Sequence, residues 1–177
     1  MEARKFVVIL SVILPFSCTT NIYAGDGFES VRCGSDVRKA LIGRKTSNEA
    51  VMAIEARHKD LGLKDLGAEE ISDTSNLIFW QICGDEYAVL EDGDVVRDVL
   101  KMPKHSKETP EFVGSCQLNG KDLPDYAVGV AKDEASNETL PVVSAWKIDE
   151  KQKKFVELKT EGLRCFRRDI NTADGGR

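Results

Sequence analysis

Two hydrophobic periods divide this chain. Between Ser35 and Gly62 apolar residues return every third or fourth position, and from Asn76 onward they alternate with polar ones or form short runs. The first spacing is that of a helix with one buried face, the second that of strands. In "GSDVRKALIG", Ser35 or Asp36 stands where an N-cap belongs and Gly43 where a helix stops, which predicts a short helix. "TSNEAVMAIEARHKDLG" predicts a longer one. Thr46 and Glu49 have the spacing of a capping box, and Val51, Ile54, His58 and Leu61 share a face. Glu55 and Lys59 can pair one turn apart, and Gly62 ends the run. "LKDLGAEEIS" reads as a turn or a short third helical piece.

The second period predicts strands in "NLIFWQIC", "EYAVLE", "VVRDVLKM", "EFVGSCQL", "YAVGVAKD", "PVVSAWKID", "KFVELK" and "LRCF". Gly84-Asp85, Asp92-Gly93-Asp94 and Asn119-Gly120 mark turns, and Pro103 and Pro110 bracket a loop. Connections this short favour antiparallel pairing, because parallel strands need long crossovers. "LIFW" is apolar on both strand faces and suits a central strand. Trp80, with Ile78 and Ile82, and Trp146, with Ser144 and Ile148, are placed as core residues. The expected fold class is therefore α+β, with N-terminal helices packed on one face of an antiparallel meander sheet.

Ahead of these elements stands "RKFVVILSVILPFSCTTNIYAGDG". It has a basic start at Arg4 and Lys5, an apolar run over residues 6–16, and Ala24 before Gly25. Those are the parts of a secretory signal peptide, and the run is about half the ~20 residues needed to cross a bilayer. A rival reading makes Cys18 a lipid-modified cysteine, but bulky Phe16 fits that processing poorly. The expected organisation is a cleaved signal peptide over 1–24, a single domain over 25–168 and a disordered tail over 169–177. No transmembrane segment is expected after processing, and the compartment is periplasmic or extracellular.

Removal of that leader leaves four cysteines, Cys33, Cys83, Cys116 and Cys165. An even number in an exported chain reads as two disulfides, and four cysteines allow three connectivities. The helices that follow Cys33 must cross the first strand, which favours Cys33 with Cys83 and Cys116 with Cys165. No Cys-x-x-Cys spacing supports a redox or zinc motif. The whole chain carries a formal charge of −5. The leader holds one acid against two bases, so the remainder is more acidic still. That balance argues against a nucleic-acid partner, which needs clustered Lys and Arg.

The candidate chemistry is sparse. No nucleophile elbow, zinc-protease helix motif or phosphate loop occurs, and no cofactor or metal is expected. His58 lies on the apolar face of the longer helix. His105 lies in the proline-bounded loop beside Lys104 and Lys107. Asp85-Glu86 and Asp92-Gly93-Asp94 read as acidic turns, and Asn137-Glu138-Thr139 is a glycosylation sequon that matters only in a eukaryote. The expected function is an exported, non-enzymatic binding protein with a protein partner, an inhibitor or immunity-type protein against a cationic enzyme being one form. Lys104, His105 and Lys107 are its expected contact residues. The alternatives are a small exported enzyme using His58 or His105 with a carboxylate, and an envelope assembly component. Protein recovered from an exporting host should begin at or near Gly25. N-terminal sequencing checks this, and an acylated Cys18 would establish the lipoprotein route instead.

Overall fold

The computed structural model of the protein describes residues 26–46, 50–134 and 137–166. Among them, β1 (Lys64–Ser72), β2 (Ser75–Ile82), β3 (Asp85–Asp92) and β4 (Val95–Lys101) form a four-stranded antiparallel meander in that order. The second sheet contains β5 (Glu111–Gly114), β6 (Cys116–Leu118), β7 (Lys121–Asp122), β8 (Ala127–Ala131), β9 (Thr139–Asp149), β10 (Lys154–Leu158) and β11 (Leu163–Phe166). Its order is β5-β8-β9-β11-β6-β7, with β10 paired to β9. Two short helices, α1 (Val37–Leu41) and α2 (Val51–Arg57), and single 3-10 turns at Gly27–Ser30 and Lys59–Leu61 precede the first strand.

Alternation along the strands sorts the core into layers. Ile78, Trp80 and Ile82 of β2, with Tyr87 and Val89 of β3, pack against Phe28, Val31, Leu41, Ile54 and Leu61 of the N-terminal segment. Phe28 meets the Trp80 ring edge-on, with centroids 5.0 Å apart. Leu77, Phe79, Ala88 and Leu90 face the other way, toward Val128 and Ile148 of the second sheet. A third cluster, including Phe112, Leu140 and Leu163, belongs to the second sheet alone. A bulge opposite Leu90 and Glu91 brings both Val96 and Val99 of β4 to the first cluster, with Trp80 and Val89. In the second sheet, a Cβ on Gly129 would sit 2.0 Å from the Ser144 carbonyl oxygen, so β8 and β9 leave no room for a side chain there.

This architecture corrects the expected α+β class. Strands make up 49% of the structure and form two antiparallel sheets. The α-helices hold only five and seven residues. Asp36 does cap α1, accepting from the Lys39 N–H at 3.0 Å. Thr46, however, is no helix cap. It is buried and donates its hydroxyl to the Glu91 carboxylate, and α2 starts only after Ala50. Glu49 of the expected capping box lies outside the described residues, as do the expected leader and tail. "LKDLGAEEIS" belongs mostly to β1. Its polar sequence carries no clear alternation, and pairing with β2 decides its conformation. "EFVGSCQL" is two strands. Gly114 has φ +146°, and the chain bends there, so β5 pairs β8 while β6 pairs β11 and β7.

Both disulfides are formed. Cys33–Cys83 ties the N-terminal segment to the β2–β3 turn, and Cys116–Cys165 joins directly opposed positions of β6 and β11. No helix among the described residues is long and apolar enough to cross a membrane.

A buried carboxylate fastens the layers at one edge. Asp98 on β4 accepts from the Val99 N–H at 2.8 Å and from the Phe155 N–H of β10 at 2.9 Å, and pairs with Arg38 of α1 at 2.8 Å. Asp98 is buried, whereas the Arg38 side chain is 61% exposed. Removing the carboxylate strands covered N–H donors; removing the arginine loses a pair open to water. Asp98→Ala should therefore cost about 2–3 kcal/mol and Arg38→Ala less than about 1 kcal/mol. Urea unfolding of both variants checks the contrast.

Candidate functional site

The loop over residues 103–110 carries the chain from β4 in the first sheet to β5 in the second. Its start is anchored by Met102, which is buried and donates its N–H to the Glu86 carbonyl at 2.8 Å. Its tip closes on itself. The Ser106 and Thr109 backbones exchange hydrogen bonds of 3.1 and 3.2 Å, and the Ser106 hydroxyl donates to the Glu108 carboxylate at 2.7 Å. That hydrogen bond holds the Glu108 carboxyl below its ordinary range. Its far end is sewn to the end of β8, where the Ala131 and Asp133 N–H groups donate to the Pro110 and Glu108 carbonyls. Pro103 and Pro110 restrict the backbone at the loop's ends, and these hydrogen bonds restrict it between them.

His105 turns onto two carboxylates from different sheets. Its Nε2 lies 2.6 Å from Glu86 Oε2, on β3, and 3.9 Å from Glu111 Oε2, at the start of β5. Burial pushes the Glu111 carboxyl above its ordinary range; the attraction of His105 partly offsets this, and repulsion from Glu86 adds to it. A cleft of about 260 Å³ opens beside the group, lined by Gly84, Asp85, Glu86, Met102, Pro103, Lys104 and His105. Lys101 pairs with Asp85 at 2.7 Å on its rim. None of the lining residues brings a hydroxyl or thiol nucleophile.

The three expected contact residues have different surroundings. Lys104 and Lys107 are exposed, and neither ammonium makes an ion pair or hydrogen bond among the described residues. His105 is engaged with Glu86. His58 does not join this cluster. It is buried beneath the N-terminal segment, with Nε2 2.6 Å from Asp26 Oδ1 and its ring against Phe28. Asp26 is itself buried, accepts from the Phe28 N–H and pairs with Arg57. The acidic turns are ion-paired: Asp92 with Lys153 and Arg97, and Asp94 with Lys45. Hydrogen bonds from Lys153 and Lys45 hold those carboxyls below their usual range. Asn137 donates its side-chain amide to Glu134 at 2.8 Å.

Sequence reading singled out His105 and the Asp85-Glu86 turn but did not join them, and it missed Glu111. The only local hint was the position of Glu111 directly after the loop-ending Pro110. An imidazole between two carboxylates can hold a proton, orient a partner group or ligate a cation. No protein-family model matches this chain, and no characterised protein or solved structure matches it.

Because the folded state raises the Glu111 carboxyl above its unfolded value, ionising this group weighs against the fold. The penalty is absent below about pH 4, where the group is protonated in both states, and grows as pH rises through the interval above. Glu111→Gln should therefore be more stable than the parent at pH 7. The gap should close as pH falls toward about 4. Denaturant midpoints across that range check it.

Proposed function

We propose that the protein is an exported binding protein whose 103–110 loop contacts another macromolecule, a protein being the partner class. The observation that carries this reading is the pair of exposed ammonium groups, Lys104 and Lys107, on a loop already closed by its own hydrogen bonds. A contact surface of this kind loses little entropy when it binds. The loop is basic and the chain as a whole is acidic. Such a two-signed surface orients a partner and speeds encounter more than it adds affinity. An inhibitor or immunity-type role toward a cationic enzyme suits the acidic body, with the loop setting the register. The two disulfides are compatible with an oxidising compartment, periplasmic or extracellular.

One observation favours a second reading, a small exported enzyme. His105 and Glu86 are 2.6 Å apart at a cleft, the geometry of a base with its orienting carboxylate. Against it stand the lack of a hydroxyl or thiol nucleophile in the lining and a cleft smaller than the roughly 300 Å³ at which small-molecule pockets begin.

Lys104→Glu with Lys107→Glu leaves Glu86, His105 and Glu111 themselves unaltered and tests the binding reading. The double variant should keep its thermal midpoint, since exposed substitutions usually cost within about 0.5 kcal/mol. It should lose a discrete partner that the parent captures from an extract of exported proteins. Equal capture of that partner by parent and variant would remove the loop from binding. Turnover of a cell-wall or peptide substrate that His105→Ala abolishes would replace this reading with the enzymatic one.

A further inference from the structure

Glu86, His105 and Glu111 come from three separate pieces of chain, and one ligand atom from each lies within 4.8 Å of the others. Each is held by its backbone. Glu86 pairs with Gln81 across β2 and β3, and its carbonyl receives the Met102 N–H. Glu111 pairs with Val130 across β5 and β8. His105 stands between buried Met102 and the closed turn that starts at Ser106. The side chains therefore meet because two sheets and their connecting loop converge, and spacing along the sequence does not announce the group.

We propose that this cluster binds one transition-metal dication, with Zn²⁺ the best match to its donors. The set is one imidazole nitrogen and two carboxylate oxygens. Hard cations such as Ca²⁺ and Mg²⁺ favour all-oxygen shells with more ligands, whereas a mixed nitrogen and oxygen set with few ligands suits zinc. Zinc takes such ligands at about 2.0–2.2 Å, so donors around one ion lie within about 4.4 Å of each other. The present spread needs only side-chain adjustment to reach that. The 2.6 Å contact between His105 and Glu86 has to open. On binding, Nε2 gives up any hydrogen it carries, to Nδ1 of the same ring or to solvent, and Nε2 and both carboxylates donate lone pairs to the ion. The ion also neutralises two like charges that converge in a partly covered place. The cleft beside Glu86 and His105 admits water as a fourth ligand.

This inference does not depend on the loop's binding a macromolecule, and its test uses no partner. The protein, with both disulfides intact, is freed of metal by a chelator and titrated with Zn²⁺ alone at pH 7. Calorimetry should show one saturable site per chain. His105→Ala and Glu111→Gln should each weaken binding by about 10–100-fold or more. Thermal midpoints taken without metal show whether each variant is folded, and either variant alone suffices. Co²⁺ in the same site should give the strong visible bands of a four-coordinate ion. No saturable heat, or Zn²⁺ binding that survives both substitutions unchanged, would overturn the proposal.

Discussion

The fold depends on one sheet being buried on both faces. β2 and β3 send Ile78, Trp80, Ile82, Tyr87 and Val89 toward the N-terminal segment and Leu77, Phe79, Ala88 and Leu90 toward the second sheet. Burial at roughly 25 cal/mol per Å² makes large side chains such as Trp80 and Phe28 worth several kcal/mol each. The N-terminal layer is not self-sufficient. Helices of five and seven residues are too short to persist alone in water. They exist because the middle sheet offers them an apolar face and because Cys33–Cys83 ties the segment before them to the β2–β3 turn.

Polar contacts are placed at the seams between layers. Asp98 reaches α1 on one side and β10 on the other. Lys153, at the β9–β10 turn, reaches Asp92 and the Ser75 hydroxyl at the end of the first sheet. Thr46 meets buried Glu91 in the same region as the Lys45–Asp94 pair. Apolar packing fixes little about how two sheets slide over each other, because it is not directional. Buried charged groups with named donors are directional, and each loses most of its value if the register shifts.

The same logic sets the candidate site. The 103–110 loop is the connection between the sheets, so residues on β3, the loop and β5 are brought together at its base. A group of two glutamates and a histidine at a seam carries unlike demands. The imidazole relieves the repulsion of the carboxylates, but one Nε2 cannot hold both closely, and it stands 2.6 Å from one and 3.9 Å from the other. That asymmetry leaves Glu111 raised by burial. Of the two exposed lysines of the loop, Lys104 lines the cleft beside this group and Lys107 does not.

Much of the strand content was readable from the residues themselves. Alternation marked β2, β3, β4, β8, β9, β10 and β11, and Asn119-Gly120, with both residues at positive φ, marked its turn. Two apolar faces marked β2 as central. Both cysteine pairings agree with the argument that the chain after Cys33 must cross the first strand. Side-chain pattern reports which surface is covered, and that is a local property of the chain. What covers it is not local. The pattern could not say that a second sheet lies under Leu77 and Phe79, that pairing would draw the polar segment after Leu63 into β1, or that Thr46 would leave its helix for Glu91. Nor could it say that Glu111 would come within reach of His105. Those outcomes depend on segments distant in sequence competing for the same hydrogen bonds and the same buried surface, and only the tertiary structure decided them.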